Sequence, residues 1–339
     1  MKPSILATVL LLSAMPALAE VAQSALHPAG VQASHILDLW RLTLAICTFV
    51  FAAVLAAFLY AIWRAPRSGA GTPPDLSSLI RPEPVLRRNV IRAVALSTAL
   101  LLLLIVADFF TDRALAKMPL QDALHIELTG HQWWWEARYG DPQPSRMFTT
   151  ANEFHIPVGK PVIITLKSSD VIHTFWVPNL HGKKDMIPGR TSTIQLRADK
   201  PGVYRGQCAE FCGFEHALMA FNVIADTAEQ YEAWAEQQRQ PAPEPADELQ
   251  KHGRQVFLTT TCVMCHTIQG TTANATFGPD LTHIASRQTL AAGSLPNTAQ
   301  HLAGWIVDPQ KFKPGANMPA NPLPPDDMQA LLAYMGALK

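Results

Sequence analysis

The chain has no excess of either charge: 27 Lys and Arg stand against 27 Asp and Glu in 339 residues. Nothing in that balance suggests a surface built for a polyanion, and no nucleic-acid partner is expected. No internal repeat is visible. Cysteine is scarce, and its five copies are unevenly placed. Four fall in two close pairs, Cys208/Cys212 and Cys262/Cys265, while Cys47 stands alone in an apolar run. Outside the cytoplasm such pairs are disulfides or cofactor ligands, and their neighbours decide between the two.

What is plentiful is apolar sequence, 48% of the chain. The opening stretch "MKPSILATVLLLSAMPALAE" has one Lys, a short apolar run and then Ala17-Leu18-Ala19, the pattern of a secretory cleavage site. Residues 1–19 therefore read as a signal peptide. Two further runs, 36–63 and 90–112, reach the roughly 20 apolar residues that a membrane span needs. Asp38 and Arg41 fall at the first span's outer end, where their charged heads can reach the interface. The loop between the spans, 64–89, holds Arg64, Arg67, Arg81, Arg87 and Arg88 against Asp75 and Glu83 alone. That bias places the loop in the cytoplasm and everything after about residue 112 outside.

Beyond the second span the texture changes to short alternating runs such as "HIELTG", "PVIITLK" and "STIQLR", separated by Gly/Pro turns. The pattern predicts an antiparallel sandwich or barrel over 121–226. A helix and the proline-rich "RQPAPEPAD" occupy 227–247 as a stiff connection. Residues 248–339 read as a mostly helical domain with Gly/Pro-rich interruptions.

Each outer domain carries one cysteine pair in a telling setting. In "GQCAEFCGFEHALM", Cys208, Cys212, His216 and Met219 follow a C-x3-C-x3-H-x2-M spacing. Two thiolates can bridge two copper ions, and His173 in "VIHTFWVP" offers a second imidazole from an earlier strand. Soft thiolate and thioether ligands suit copper, and such a site has no open position for substrate. A Cys208–Cys212 disulfide or a zinc site remain alternatives, but neither uses Met219. In "TCVMCHTIQG", Cys262, Cys265 and His266 form C-x-x-C-H, the attachment motif of c-type haem. "KFKPGANMPA" supplies Met318 as the second axial ligand.

The motifs "GQCAEFCGFEHALM", "DVIHTFWVP", "DMIPGR" and "GHQWWWEARY" resemble subunit II of haem–copper cytochrome c oxidases, over about residues 30–235. The region after the linker resembles a class I cytochrome c, with Gly253, Phe257, Leu331 and Tyr334 where its first and last helices meet, and Pro279 of "GPDL" beside the haem His. Together they are similar to caa-type oxidases, in which a cytochrome c is fused to subunit II. The resemblance implies two transmembrane helices, an all-β cupredoxin-like sandwich and an all-α cytochrome c domain. It implies a binuclear copper centre (CuA) held by His173, Cys208, Cys212, His216, Met219 and the carbonyl of Glu210. It also implies a Mg ion at the Glu210 carboxylate and an electron port at Trp133. The implied setting is a bacterial cell membrane, with the outer domains periplasmic. The implied partners are subunit I, which would reduce dioxygen and pump protons, other oxidase subunits, and a donor such as a cytochrome c or an upstream respiratory complex.

Three features qualify the resemblance. The family more often has Tyr at the position of Trp134. Glu83 lacks the Trp-Pro setting of the family's proton pathway, so that role is not assigned. Asp185 beside Lys183 and Lys184 leaves the donor open. A nitric oxide reductase subunit with the same cofactors, or a membrane-anchored copper-binding protein, are the alternatives; a quinol oxidase subunit would lack the copper ligands.

Overall fold

The computed structural model describes residues 23–65, 69, 71, 73, 76, 80, 83–117 and 119–339. The expected signal (1–19) and 12 of the 26 residues of the expected cytoplasmic loop (64–89) lie outside those residues.

Two helices come first, α1 (Val31–Arg64) and α2 (Glu83–Leu115). Both are long and apolar enough to cross a membrane, and Phe49, Phe51, Leu102 and Ile105 all face outward. At 1.5 Å per residue α1 is about 51 Å long, well beyond the roughly 30 Å of a hydrocarbon core. The surplus lies at its start. The helix begins at Val31 rather than at Ile36, and Gln32, Ala33 and Leu37 are buried. Ala29 and Ala33 donate backbone hydrogen bonds to the carbonyls of Asn179 and Leu180, at 2.8 and 3.1 Å. The first apolar helix thus holds the β domain directly. Glu83 falls in the first turn of α2, where a carboxylate suits the helix dipole.

Ten strands make the β domain. They are β1 (Leu124–His131), β2 (Trp134–Gly140), β3 (Phe148–Ala151), β4 (Glu153–Pro157), β5 (Val162–Ser168), β6 (His173–Phe175), β7 (Lys184–Met186), β8 (Ser192–Leu196), β9 (Gly202–Gln207) and β10 (Ala220–Asp226). One sheet has the order β3-β2-β1-β5-β8, the second β4-β10-β9, and β6 pairs with β7. Alternation places Val162, Ile164 and Leu166 of β5 in the core with Ile126 and Leu128 of β1. Trp135 and Phe221 meet edge to face at 4.9 Å.

The pairing corrects one expectation. The sheets are mixed, because β1 pairs with β5 and β4 with β10 in parallel. Side-chain alternation reports which face is buried, not which way a neighbouring strand runs.

Thr227 closes β10 and caps α3 (Ala228–Gln238) with a reciprocal capping box to Gln230. The proline-rich connection that follows is tied down along its length. Arg239 donates to the Arg146 carbonyl at 3.2 Å, Ala242 donates to that of Gln269 at 2.9 Å, and Glu244 pairs with Arg254 at 2.7 Å.

The last domain comprises α4 (Glu248–Thr259), α5 (Ala299–Val307) and α6 (Pro325–Ala337), with 3₁₀ turns between them. Phe257, Leu331 and Tyr334 are buried in one cluster. The α4–α6 crossing depends on Gly253, where an added Cβ would lie 2.0 Å from the Ala330 carbonyl oxygen.

Candidate copper centre and haem cleft

The β9–β10 connection folds its donor atoms inward around two sulfurs. Cys208 Sγ and Cys212 Sγ are 3.8 Å apart, far from the 2.05 Å of a disulfide. Around Cys208 lie His173 Nδ1 at 3.8 Å and the Glu210 carbonyl at 3.3 Å. Around Cys212 lie His216 Nδ1 at 3.6 Å and Met219 Sδ at 3.8 Å. Each sulfur therefore has one imidazole and one weak donor of its own, and the sulfurs face each other. His173, Cys208, Cys212 and Met219 are buried, while Glu210 is exposed. The two thiols favour different protonation states. Hydrogen bonding from Cys212, then from His173, holds Cys208 well below an ordinary thiol, while the hydrogen bond to Cys208, then burial, pushes Cys212 up. This set of soft donors with two imidazoles fits a thiolate-bridged copper pair.

Neighbouring residues fix the ligands. His173 Nε2 bonds Asp170 Oδ1 at 2.8 Å, which leaves Nδ1 directed at the sulfur. Burial works against a charged His173, but Asp170 and Cys208 outweigh it and raise its pKa. Gly130 lets β1 approach, since a Cβ there would sit 2.9 Å from the His173 ring.

The second cysteine pair opens onto a cavity of about 640 Å³. Cys262, Cys265, His266 and Met318 all line it. Cys265 and His266 both donate backbone hydrogen bonds to the Cys262 carbonyl, at 3.2 and 3.0 Å, which turns the motif tightly. The Pro279 carbonyl orients His266 through Nδ1 at 2.8 Å. Burial lowers the His266 pKa and so favours the neutral ring that a metal ligand requires. Arg287 lines the same cavity, and its buried Nε has no hydrogen-bond partner among the described residues. A large apolar cleft with two thiols, an imidazole, a thioether and an unmet cationic donor fits a covalent haem bearing carboxylates.

One dipeptide joins the two sites. Gln132 Nε2 and Trp133 Nε1 both donate to the Cys212 carbonyl, at 2.7 and 3.0 Å. Gln132, Trp133 and Trp134 also line the haem cavity. The three tryptophans thus divide: Trp135 is buried in the sandwich, Trp134 stacks on His131 at 4.2 Å, and Trp133 connects the cleft to the copper loop. The sequence reading did not include Gln132, Asp170 or Arg287. Asp170 had a local signal, a carboxylate three residues before a candidate ligand His. Gln132 and Arg287 had none, because their roles depend on distant partners.

Fold and site together define a membrane-anchored electron-transfer protein, with a copper-type β domain joined to a c-type cytochrome. Two sequence families match, "Cytochrome C oxidase subunit II, periplasmic domain" over residues 141–226 and "Cytochrome c" over residues 250–339. Among curated proteins, cytochrome c oxidase subunit 2 of Alkalihalophilus pseudofirmus is 37% identical over 324 residues, covering 93% of this chain and 91% of that protein. Its counterpart from Bacillus subtilis is 28% identical over 333 residues, covering 93% and 92%. A crystal structure of the periplasmic domain of subunit II of cytochrome oxidase of Bradyrhizobium japonicum is 31% identical, with a TM-score of 0.33; it covers 36% of this chain and 97% of that one. The chain belongs to the cytochrome c oxidase subunit 2 family, with a fused cytochrome c domain. It is part of an oxidoreductase complex, and its two domains imply CuA and haem c as cofactors.

Proposed function

We propose that this chain relays electrons from an external donor to the catalytic subunit of a terminal oxidase, where dioxygen is reduced and protons are pumped. In this reading His173, Cys208, the Glu210 carbonyl, Cys212, His216 and Met219 hold the copper pair. Cys262 and Cys265 attach the haem, and His266 and Met318 are its axial ligands. When bound, each group takes up and releases one electron. The chain's own part is to hold the two sites in fixed relation and keep water from the copper.

The observation that carries the reading is Trp133, which lines the haem cleft and donates to the carbonyl of the copper-loop Cys212. Trp133→Ala is expected to leave copper and haem contents unchanged while slowing haem-to-copper transfer severalfold. Flash reduction of the haem, followed at the copper absorption band, measures this. An unaltered rate would remove Trp133 from the path.

The outer domains face the periplasm, with α1 and α2 in the bacterial cell membrane. Exposed Phe211 and Phe214 flank the copper loop beside Glu210, an apolar surface suited to cover by the catalytic subunit. Glu210 there supplies a hard oxygen ligand for a Mg ion shared across the contact. Because its carbonyl, not its carboxylate, faces Cys208, Glu210→Gln is expected to weaken Mg binding and spare the copper. Substituting Mn for Mg in the assembled complex makes this visible by EPR. The donor is a cytochrome c or an upstream respiratory complex, and it reduces the haem.

A further inference from the structure

The contact between the two outer domains contains a buried ion pair that neither cofactor site requires. Lys313, in the loop leading to Met318, is 3% exposed, and Glu215, on the copper loop, is 1% exposed. Their Nζ and Oε2 atoms are 3.9 Å apart. Lys313 Nζ also donates to the Trp133 carbonyl at 3.1 Å and to that of Ala291 at 3.5 Å. Glu215 Oε2 has no hydrogen-bond partner among the described residues, so Lys313 is the cation facing it. Four residues on, Asn317 Nδ2 donates to the Gln132 carbonyl at 2.8 Å. The Met318 loop thus grips the Gln132–Trp133 dipeptide from one side, while the Cys212 carbonyl holds its side chains from the other.

The energetics make this pair informative. Burying an ammonium or a carboxylate is costly unless each finds the other or equivalent partners. Burial pulls the Lys313 pKa down to about 8 against the pull of the Glu215 carboxylate, and the Trp133 and Ala291 carbonyls complete the shell around its Nζ. If the domains separate, both groups return to water. If they dock in another register, both are stranded. A surface pair would give little such discrimination.

We propose that Lys313 is the clasp of the haem domain, a positioning residue that selects the docked register in which Trp133 bridges the cleft and the copper loop. This rests on the relay reading above. Two backbone amides that donate hydrogen bonds across the same interface report docking independently of electron flow. Ala220 donates to the Ala292 carbonyl at 3.0 Å, and Thr289 donates to Glu153 Oε1 at 3.1 Å.

The test uses the full-length chain loaded with haem and copper, with Lys313→Met to keep the aliphatic stem and remove the ammonium. Amide hydrogen exchange at Ala220 and Thr289 is expected to quicken by about tenfold or more. Amides within α4 and α6 keep their protection, haem and copper contents stay the same, and haem-to-copper transfer slows. Unchanged protection at both reporters would overturn the clasp. If Lys313→Met unfolds the haem domain, seen as lost protection in α4 and α6, Glu215→Gln repeats the test from the copper side. It discharges the carboxylate while keeping its shape, and normal protection at both reporters would then reject the proposal. The relay reading fails separately: the reporters respond to Lys313→Met, but neither that variant nor Trp133→Ala changes the transfer rate.

Discussion

Cys212→Ser is expected to leave a folded chain with its haem attached and its copper pair gone. Cys212 Sγ is the hub of the donor set, 3.8 Å from Cys208 Sγ, 3.6 Å from His216 Nδ1 and 3.8 Å from Met219 Sδ. A serine fills nearly the same buried space, so the packing around the loop survives. Its hydroxyl is a hard donor that stays protonated near neutral pH and cannot bridge two soft ions. What remains is Cys208 with His173 and the Glu210 carbonyl, a set that suits a single copper. Metal analysis should then give at most one copper per haem. EPR should change from one electron shared over two nuclei to one localised on a single copper, or to no copper signal. Electron delivery to the catalytic subunit should fall close to zero. Two retained coppers with an unchanged spectrum would mean that the paired sulfurs are not the bridge.

Gly253→Ala sets two effects of opposite sign against each other. In an exposed helix interior the change would stabilise by about 1 kcal/mol through helix propensity. Here the new Cβ would lie 2.0 Å from the Ala330 carbonyl oxygen and 2.8 Å from Tyr334 Cβ. The first obstacle is backbone, so it cannot swing aside, and α4 and α6 must separate. Overpacking of this kind costs about 3 kcal/mol, so the net loss is about 2 kcal/mol. For a domain of roughly 90 residues, that lowers the melting temperature by about 8–16 °C. Thermal unfolding followed at the haem absorption band reads the change. Because α4 and α6 close the cleft, loss of the absorption band of the proposed Met318–iron bond should accompany it. A rise in melting temperature would show that the helices do not cross at Gly253.

The two site motifs were legible because each is local. Cys208, Cys212, His216 and Met219 fall within one strand connection, and Cys262, Cys265 and His266 within one turn, so chain geometry alone brings most donors together. His173 and Met318 came from farther away but sit in distinctive contexts, an alternating strand and a Pro-rich loop before a terminal helix. Gly253 was readable because a helix without a side chain at one position implies a close neighbour. The strand directions were not readable, since β1 pairs in parallel with β5 only after the chain has passed through the intervening strands.

By itself, the sequence determined the apolar helices, the alternating β domain, the helical tail and most candidate donor atoms of the two proposed sites, because these depend on composition and short-range spacing. Tertiary structure alone decided how the sites meet. Lys313 lies 180 residues from Trp133, Asn317 lies 185 residues from Gln132, and Gln132 lies 80 residues from Cys212. The donor in each contact, Lys313, Asn317 or Gln132, is an ordinary polar residue that carries no signal of its own. They acquire a role only when folding and docking bring these distant segments together and remove water from both partners, and that depends on the whole fold.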